Sequence, residues 1–253
     1  MKLLGATTLW VLVLLPTGLR VASGQTAAVN IPIKTQDNTN PLQQDLSGLQ
    51  HFEFGAIIQG GNGLTENRNG FKFLMAGVHA GKILTPNLGR GPLRGNFEYA
   101  VEVFPFWQSY TPKFQRPFCT NAPGTPPQCT AFYTVGGTFT GASITPIILR
   151  WNIVGTKHFS FWGQAAGGLV WTNHKYPAFG GPPYDEQNDG PNADASVFNF
   201  TPQGGVGVHY FIRPRRSIDF SANGVHISSA SLGDRNPGVN ASVQFSLGYS
   251  WWK

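Results

Sequence analysis

From Asn240 to Trp251 the chain alternates without a break. Ala241, Val243, Phe245, Leu247, Tyr249 and Trp251 fall on one parity, and Asn240, Ser242, Gln244, Ser246, Gly248 and Ser250 on the other. Successive side chains of a β-strand point to opposite faces, so this segment reads as a strand with one apolar and one polar side. A helix would mix the two sets around its circumference. The same period of two recurs upstream, and strands are expected near 51–61, 71–84, 96–110, 142–154, 158–172, 196–212, 217–229 and 240–252. No heptad, long helical period or internal repeat competes with this pattern.

The connections alternate in length. Segments 62–70, 111–141, 173–195 and 230–239 read as loops, 85–95 is intermediate, and 155–157 and 213–216 read as tight turns. Long loops at one end and short turns at the other describe an antiparallel barrel of the outer-membrane type. A soluble sandwich or barrel shows the same alternation with its apolar face inward, so other signs must decide. An even strand number and aromatic residues at strand ends, among them Trp107, Trp151, Trp171, Trp251 and Trp252, fit interface girdles. Charged residues are only 12% of the chain, against about 25% for soluble domains. The expected fold is therefore all-β, an eight-stranded antiparallel outer-membrane β-barrel spanning 51–253.

The N-terminus adds an export signal. Lys2 is followed by an apolar run from Leu3 to Leu15 and by Ala22-Ser23-Gly24 before Gln25, the layout of a secretory signal peptide over 1–24. The apolar run falls short of the roughly 20 residues a spanning helix needs. Residues 25–50 form a polar lead-in. Without Lys2 and Arg20, 16 basic residues face 12 acidic ones, and no basic stripe interleaved with aromatics suggests nucleic acid. The two cysteines, Cys119 and Cys129, lie in a Pro-rich segment. In an oxidising compartment they are expected to form a disulfide, closing a short loop for about 3 kcal/mol on the chain-entropy model. No ligand cluster suggests a metal, and none points to a cofactor.

Parity places Glu53, Glu98, Glu102, Arg150 and Asp219 on polar faces, where a small barrel fills its lumen with side chains. An interior charge network is expected of them. Glu98 and Glu102 form a carboxylate pair on paper, but both sit mid-strand, and a structural role fits better. Arg213, Arg215 and Arg216 lie in a tight turn at the short-turn end and are expected to cap the barrel there rather than bind lipid phosphates.

On the seventh strand, Ile218, Phe220, Ala222, Gly224, His226 and Ser228 share the more apolar parity. That puts a His and a Ser, two apart, on the lipid-facing side at the long-loop end, where headgroups relieve the desolvation of polar groups. A Ser hydroxyl needs a base to become a nucleophile, and an imidazole titrates in the right range. A third group must orient the imidazole. The spacing His-x-Ser alone is weak, because it recurs by chance.

His226-Ile227-Ser228-Ser229-Ala230, continued by Leu232 and Asn236-Pro237-Gly238, resembles the C-terminal signature of the PagL-type lipid A deacylases. The close match covers roughly the last 30 residues. It implies an eight-stranded barrel in the outer membrane of a Gram-negative-type cell, hydrolysing the ester at the 3-position of lipid A without metal or cofactor. By matching position, Ser228 is the nucleophile and His226 the base. The family's acid, a Glu, falls on Asn240, and the Asn that usually follows the nucleophile is Ser229. Asn236 or loop N–H groups would supply the oxyanion hole, and Asp234 is a second candidate to orient the imidazole. The other readings are a non-catalytic structural or adhesive barrel on the same scaffold and, last, a small-molecule pore. Oligomeric state and acyl-chain preference are not legible.

Overall fold

A computed structural model describes the chain at 51–65, 68–120, 128–156, 158–174, 176, 196–229 and 241–253; side chains at 114, 116–120, 128–133 and 135 are outside the description. The expected signal peptide and lead-in, 1–50, also lie outside it. Nine strands follow one another: β1 (Phe52–Gly63), β2 (Lys72–Ile83), β3 (Gly95–Thr120), β4 (Gln128–Ile153), β5 (Phe159–Thr172), β6 (Phe198–Phe200), β7 (Gln203–Arg213), β8 (Arg216–His226) and β9 (Ala241–Trp252). Every pairing is antiparallel, and β9 returns to pair with β1, so the sheet closes. The connection between β2 and β3 contains a single helical turn, Gly91–Leu93.

The wall has eight staves, because β6 and β7 are two pieces of one. Leu169 pairs with Phe200 and Ala166 with Gln203 in a single register along β5. The interruption falls at Thr201-Pro202. Proline has no N–H, so it removes one ladder bond within a stave otherwise predicted as continuous over 196–212.

The largest departure from expectation is the segment 111–141, read as a loop. β3 runs on to Thr120 and β4 begins at Gln128, so most of it is a two-stranded extension. Its Pro and Gly residues are turn signals that here mark bulges instead. The register shifts between Thr111 and Phe114, opposite Gly136, whose φ is +83°. A Cβ at Gly136 would lie 2.0 Å from the Pro112 carbonyl oxygen, so only glycine fits the bulge.

The outer face of the wall is lined by large apolar side chains, unlike the outer face of a soluble barrel. Ile58, Val78, Ile147, Phe161, Val206 and Phe245 are all more than half exposed. Inside, two layers fill the lumen. At the short-turn half, Glu53, His79, Glu98, Glu102, Arg150, His209 and Asp219 are gathered from six strands. Arg150 Nη1 donates to Glu53 Oε2 at 3.1 Å, and His79 Nε2 lies 3.0 Å from the same oxygen. Asn152 Nδ2 donates to Glu98 Oε2 at 2.8 Å, His209 Nδ1 is 2.7 Å from Asp219 Oδ1, and Ser250 Oγ bridges Glu53 and Asp219. All five residues expected in this network are in it; His79 and His209 are additions.

The long-loop half is apolar. Phe71, Phe73, Met75, Phe104, Trp107, Phe139, Tyr176, Val225 and Ile227 form one cluster with Val170. Tyr176, from the segment after β5, enters this mouth, and its hydroxyl lies 3.0 Å from Ser109 Oγ. Two girdle assignments are corrected here. Trp107 is 2% exposed and Trp252 3%, both lumenal, while Trp151, Trp171 and Trp251 do face out. For Trp107 the register shift between Phe104 and Trp107 resets the parity. Trp252 lies on the polar parity of β9 and donates from Nε1 to Ser217 Oγ at 3.0 Å.

Candidate active site on the outer wall

β8 carries two different surfaces on its two parities. Asn223, Val225, Ile227 and Ser229 face the lumen, Val225 and Ile227 being built into the aromatic cluster. Gly224, His226 and Ser228 face outward, with His226 and Ser228 half-buried. The expected parity is therefore observed, and the apolar residues Val225 and Ile227 that blurred it in sequence are explained by an apolar lumen at that level.

The segment beyond His226 leaves the regular ladder but not its register. Ser228 and Phe200 exchange both backbone bonds, Ser228 N to Phe200 O at 3.0 Å and Phe200 N to Ser228 O at 2.7 Å. The His226 N–H donates to the Pro202 carbonyl at 3.0 Å, and Pro202 has no N–H to complete that pair. Across the other edge His226 is in register with Ala241, the residue after Asn240. Two residues of strand rise separate His226 and Ser228 by about 6–7 Å between Cα atoms, within which an imidazole can reach a neighbouring hydroxyl. Pro202 and Ala241 are the short residues on either side of the imidazole.

The outward face below the pair is unusually bare. Ala165, Gly204 and Gly224 form one row across β5, β7 and β8, and Gly163 and Ala222 lie in the next row with Val206. A Cβ on Gly204 would meet nothing nearer than a carbonyl oxygen at 3.6 Å, and on Gly224 one at 3.8 Å. Packing does not require glycine at either position. Glycine in a strand weakens it, so the absence of side chains here calls for another reason. Phe200, Leu169, Phe161, Phe220 and Phe245 surround this strip as exposed walls.

A family model described as lipid A 3-O-deacylase (PagL) matches residues 95–250, from the start of β3 almost to the end of β9. The chain belongs to the PagL family. The matched range includes His226, Ser228 and Asn240, and the family's substrate is lipid A. With its outward apolar belt, this PagL-family chain is a β-barrel of the Gram-negative outer membrane. Among solved structures, the outer membrane enzyme PagL aligns at 12% identity and a TM-score of 0.41, covering 79% of this chain and 98% of that one. The outer membrane protein OprG from Pseudomonas aeruginosa aligns at 9% identity and a TM-score of 0.36, covering 82% and 97%. No curated protein matches the sequence.

Of the expected site residues, His226 and Ser228 are brought to one outward face. Ser229 is buried on the lumen side. Asn240, Asn236 and Asp234 lie outside the described residues. Cys119 and Cys129 are register partners on β3 and β4, and their side chains are outside the description. His79 and His209 went unrecognised in the sequence because a lone His in a strand has no distinguishing spacing; their parity with lumenal neighbours was the usable sign.

Proposed function

We propose that this barrel is a serine hydrolase that removes the ester-linked acyl chain at the 3-position of lipid A. The observation that carries the reading is the outward placement of His226 and Ser228, at the long-loop end of a wall otherwise apolar. At that depth lipid headgroups relieve the desolvation of a His–Ser pair, and what such a pair meets is a membrane lipid. Lipid A reaches this face laterally, without entering the lumen.

In the first half-reaction His226 takes the proton of Ser228 as Oγ attacks the ester carbonyl. The tetrahedral intermediate collapses with loss of the sugar oxygen, which leaves with the proton held by the imidazole. In the second, His226 deprotonates water, the acyl-serine is hydrolysed and the fatty acid departs. Asn240 occupies the family's acid position, where its side-chain oxygen can accept the imidazole N–H and select the tautomer. It adds no charge to stabilise the imidazolium. Asn236 and loop N–H groups are the oxyanion donors in this reading. The bare strip of Gly204, Gly224 and Ala165 lets an acyl chain lie close to the strand backbone, leading its ester to Ser228.

Fatty acid released from purified lipid A by the detergent-solubilised protein, followed by gas chromatography, tests the mechanism. Ser228→Ala and His226→Ala should each abolish release, and release undiminished in both would exclude this pair. Asn240 and Ser229 favour a second reading, a non-catalytic barrel on the family scaffold. It predicts no release from the native chain or from Asn240→Glu.

A further inference from the structure

Among the described residues, the charged side chains on the rim opposite the candidate site are all Lys or Arg. β8 runs from one end to the other, and Arg216 and Ser228 are about 40 Å apart along the strand. At Arg216's end the chain closes on itself, with Phe52 N donating to Lys253 O and Lys253 N to Phe52 O. Lys82 is the next-to-last residue of β2, and Arg90 and Arg94 lie in the connection that follows the strand. Arg213, Arg215 and Arg216 make the turn between β7 and β8. No Asp or Glu occurs in 82–97, 151–160, 211–217 or 250–253. Among the described residues the acidic side chains are Glu53, Glu98, Glu102 and Asp219, all in the lumenal network.

Two features distinguish this rim from an ordinary solvated surface. The first is its mixture of cations with outward apolar and aromatic groups. Lys82 Nζ lies 5.2 Å from the ring centre of Phe52, and the Arg216 guanidinium 5.9 Å from that of Trp251, both rings outward. Leu88 and Leu93 project from the Arg90–Arg94 connection, Leu93 being 68% exposed. Such pairing places the cations at the depth where hydrocarbon gives way to headgroups. The second is Arg215, the only non-glycine residue among the described residues with positive φ, at +62° after Pro214. A turn with Pro followed by positive φ ordinarily takes Gly or Asn at that place. The turn keeps a guanidinium where conformation favours another residue.

We infer that this rim binds the anionic headgroups of phospholipids in the leaflet opposite the candidate site, the guanidinium groups engaging their phosphate oxygens. Guanidinium groups match phosphate bidentately, and each cation at an anionic lipid surface adds to the attraction. The rim then does more than cap the barrel: it anchors the protein in its leaflet. This inference does not depend on the reading of Ser228.

The test is quenching of tryptophan fluorescence in bilayers containing brominated phosphatidylglycerol or brominated phosphatidylcholine, which yields the relative binding constant of the two lipids. The native chain should prefer phosphatidylglycerol by more than about fivefold, the effect expected of a single cation near an anionic surface. The preference should vanish in about 1 M NaCl, where screening extends over ~3 Å. It should also vanish when Arg90, Arg94, Arg213 and Arg216 become Gln and Arg215 becomes Gly. Arg215→Gly alone should lower the preference while the barrel keeps its heat-modifiable migration, which separates lipid binding from folding. Equal binding of the two lipids, or a preference unchanged in the fivefold variant, overturns the inference. So does abolition of the preference by inorganic phosphate at an ionic strength where NaCl leaves it intact, which would mark a free-anion site, or binding of dextran sulfate by a protein without lipid preference.

Discussion

Ser228 and His226 acquire their chemical meaning from direction. The same two side chains turned inward would meet the aromatic cluster that receives Ile227 and Val225. Their outward parity was readable in the sequence because a strand permits only two directions, and the flanking Phe220 and Ala222 show which is apolar. The third member of the site was not readable in this way. Asn240 opens the alternating segment, but parity with Ser242 and Gln244 does not single it out, and Asn236 falls in 230–239, which has no periodicity, so only family position marks either of them. Asn240 carries a specific consequence. A neutral partner orients the imidazole without stabilising its charged form, so Asn240→Glu should raise the rate of lipid A hydrolysis by at least about tenfold. The check is initial rates at saturating substrate; an unchanged rate would mean that position 240 does not contact the imidazole.

The strands were legible as elements wherever alternation was clean, and misread where Pro and Gly served bulges. Pro112 and Pro117 with Gly136 and Gly137 read as loop, yet β3 and β4 continue past them, shifting register at Thr111/Phe114. That pairing sets Cys119 opposite Cys129. Directly opposed strand residues have Cα separations compatible with a disulfide. Non-reducing digestion and mass spectrometry should therefore recover the two cysteine peptides as one linked species, and separate peptides would contradict it. On the outward strip, the row Ala165, Gly204, Gly224 makes another prediction. Room exists for a larger side chain at Gly204, so Gly204→Leu should fold normally. Filling the strip should raise KM for lipid A, or shorten the preferred acyl chain, with Ser228 intact. Unaltered kinetics on substrates of different chain length would detach the strip from substrate binding.

For the molecule as a whole, a polar lumen was expected and only half of it is polar. The shortage of charge in the sequence signalled a membrane barrel, but the packing of Trp107, Phe139 and Tyr176 across its mouth depends on a register shift and a loop residue that parity does not reach. Below them, one arginine holds several buried carboxylates. Arg150→Ala would leave Glu53 and Glu98 without their guanidinium and should cost about 3 kcal/mol in urea unfolding. With both layers filled, the barrel should show no steady conductance in planar bilayers, and discrete channel openings would revive the pore. In the proposed function the chemistry belongs to the wall. The mass spectrum of lipid A from cells producing the protein tests that claim most directly. The native chain should remove the mass of one ester-linked acyl group and Ser228→Ala should leave lipid A intact; identical spectra from both, with both barrels folded in the outer membrane, would contradict it.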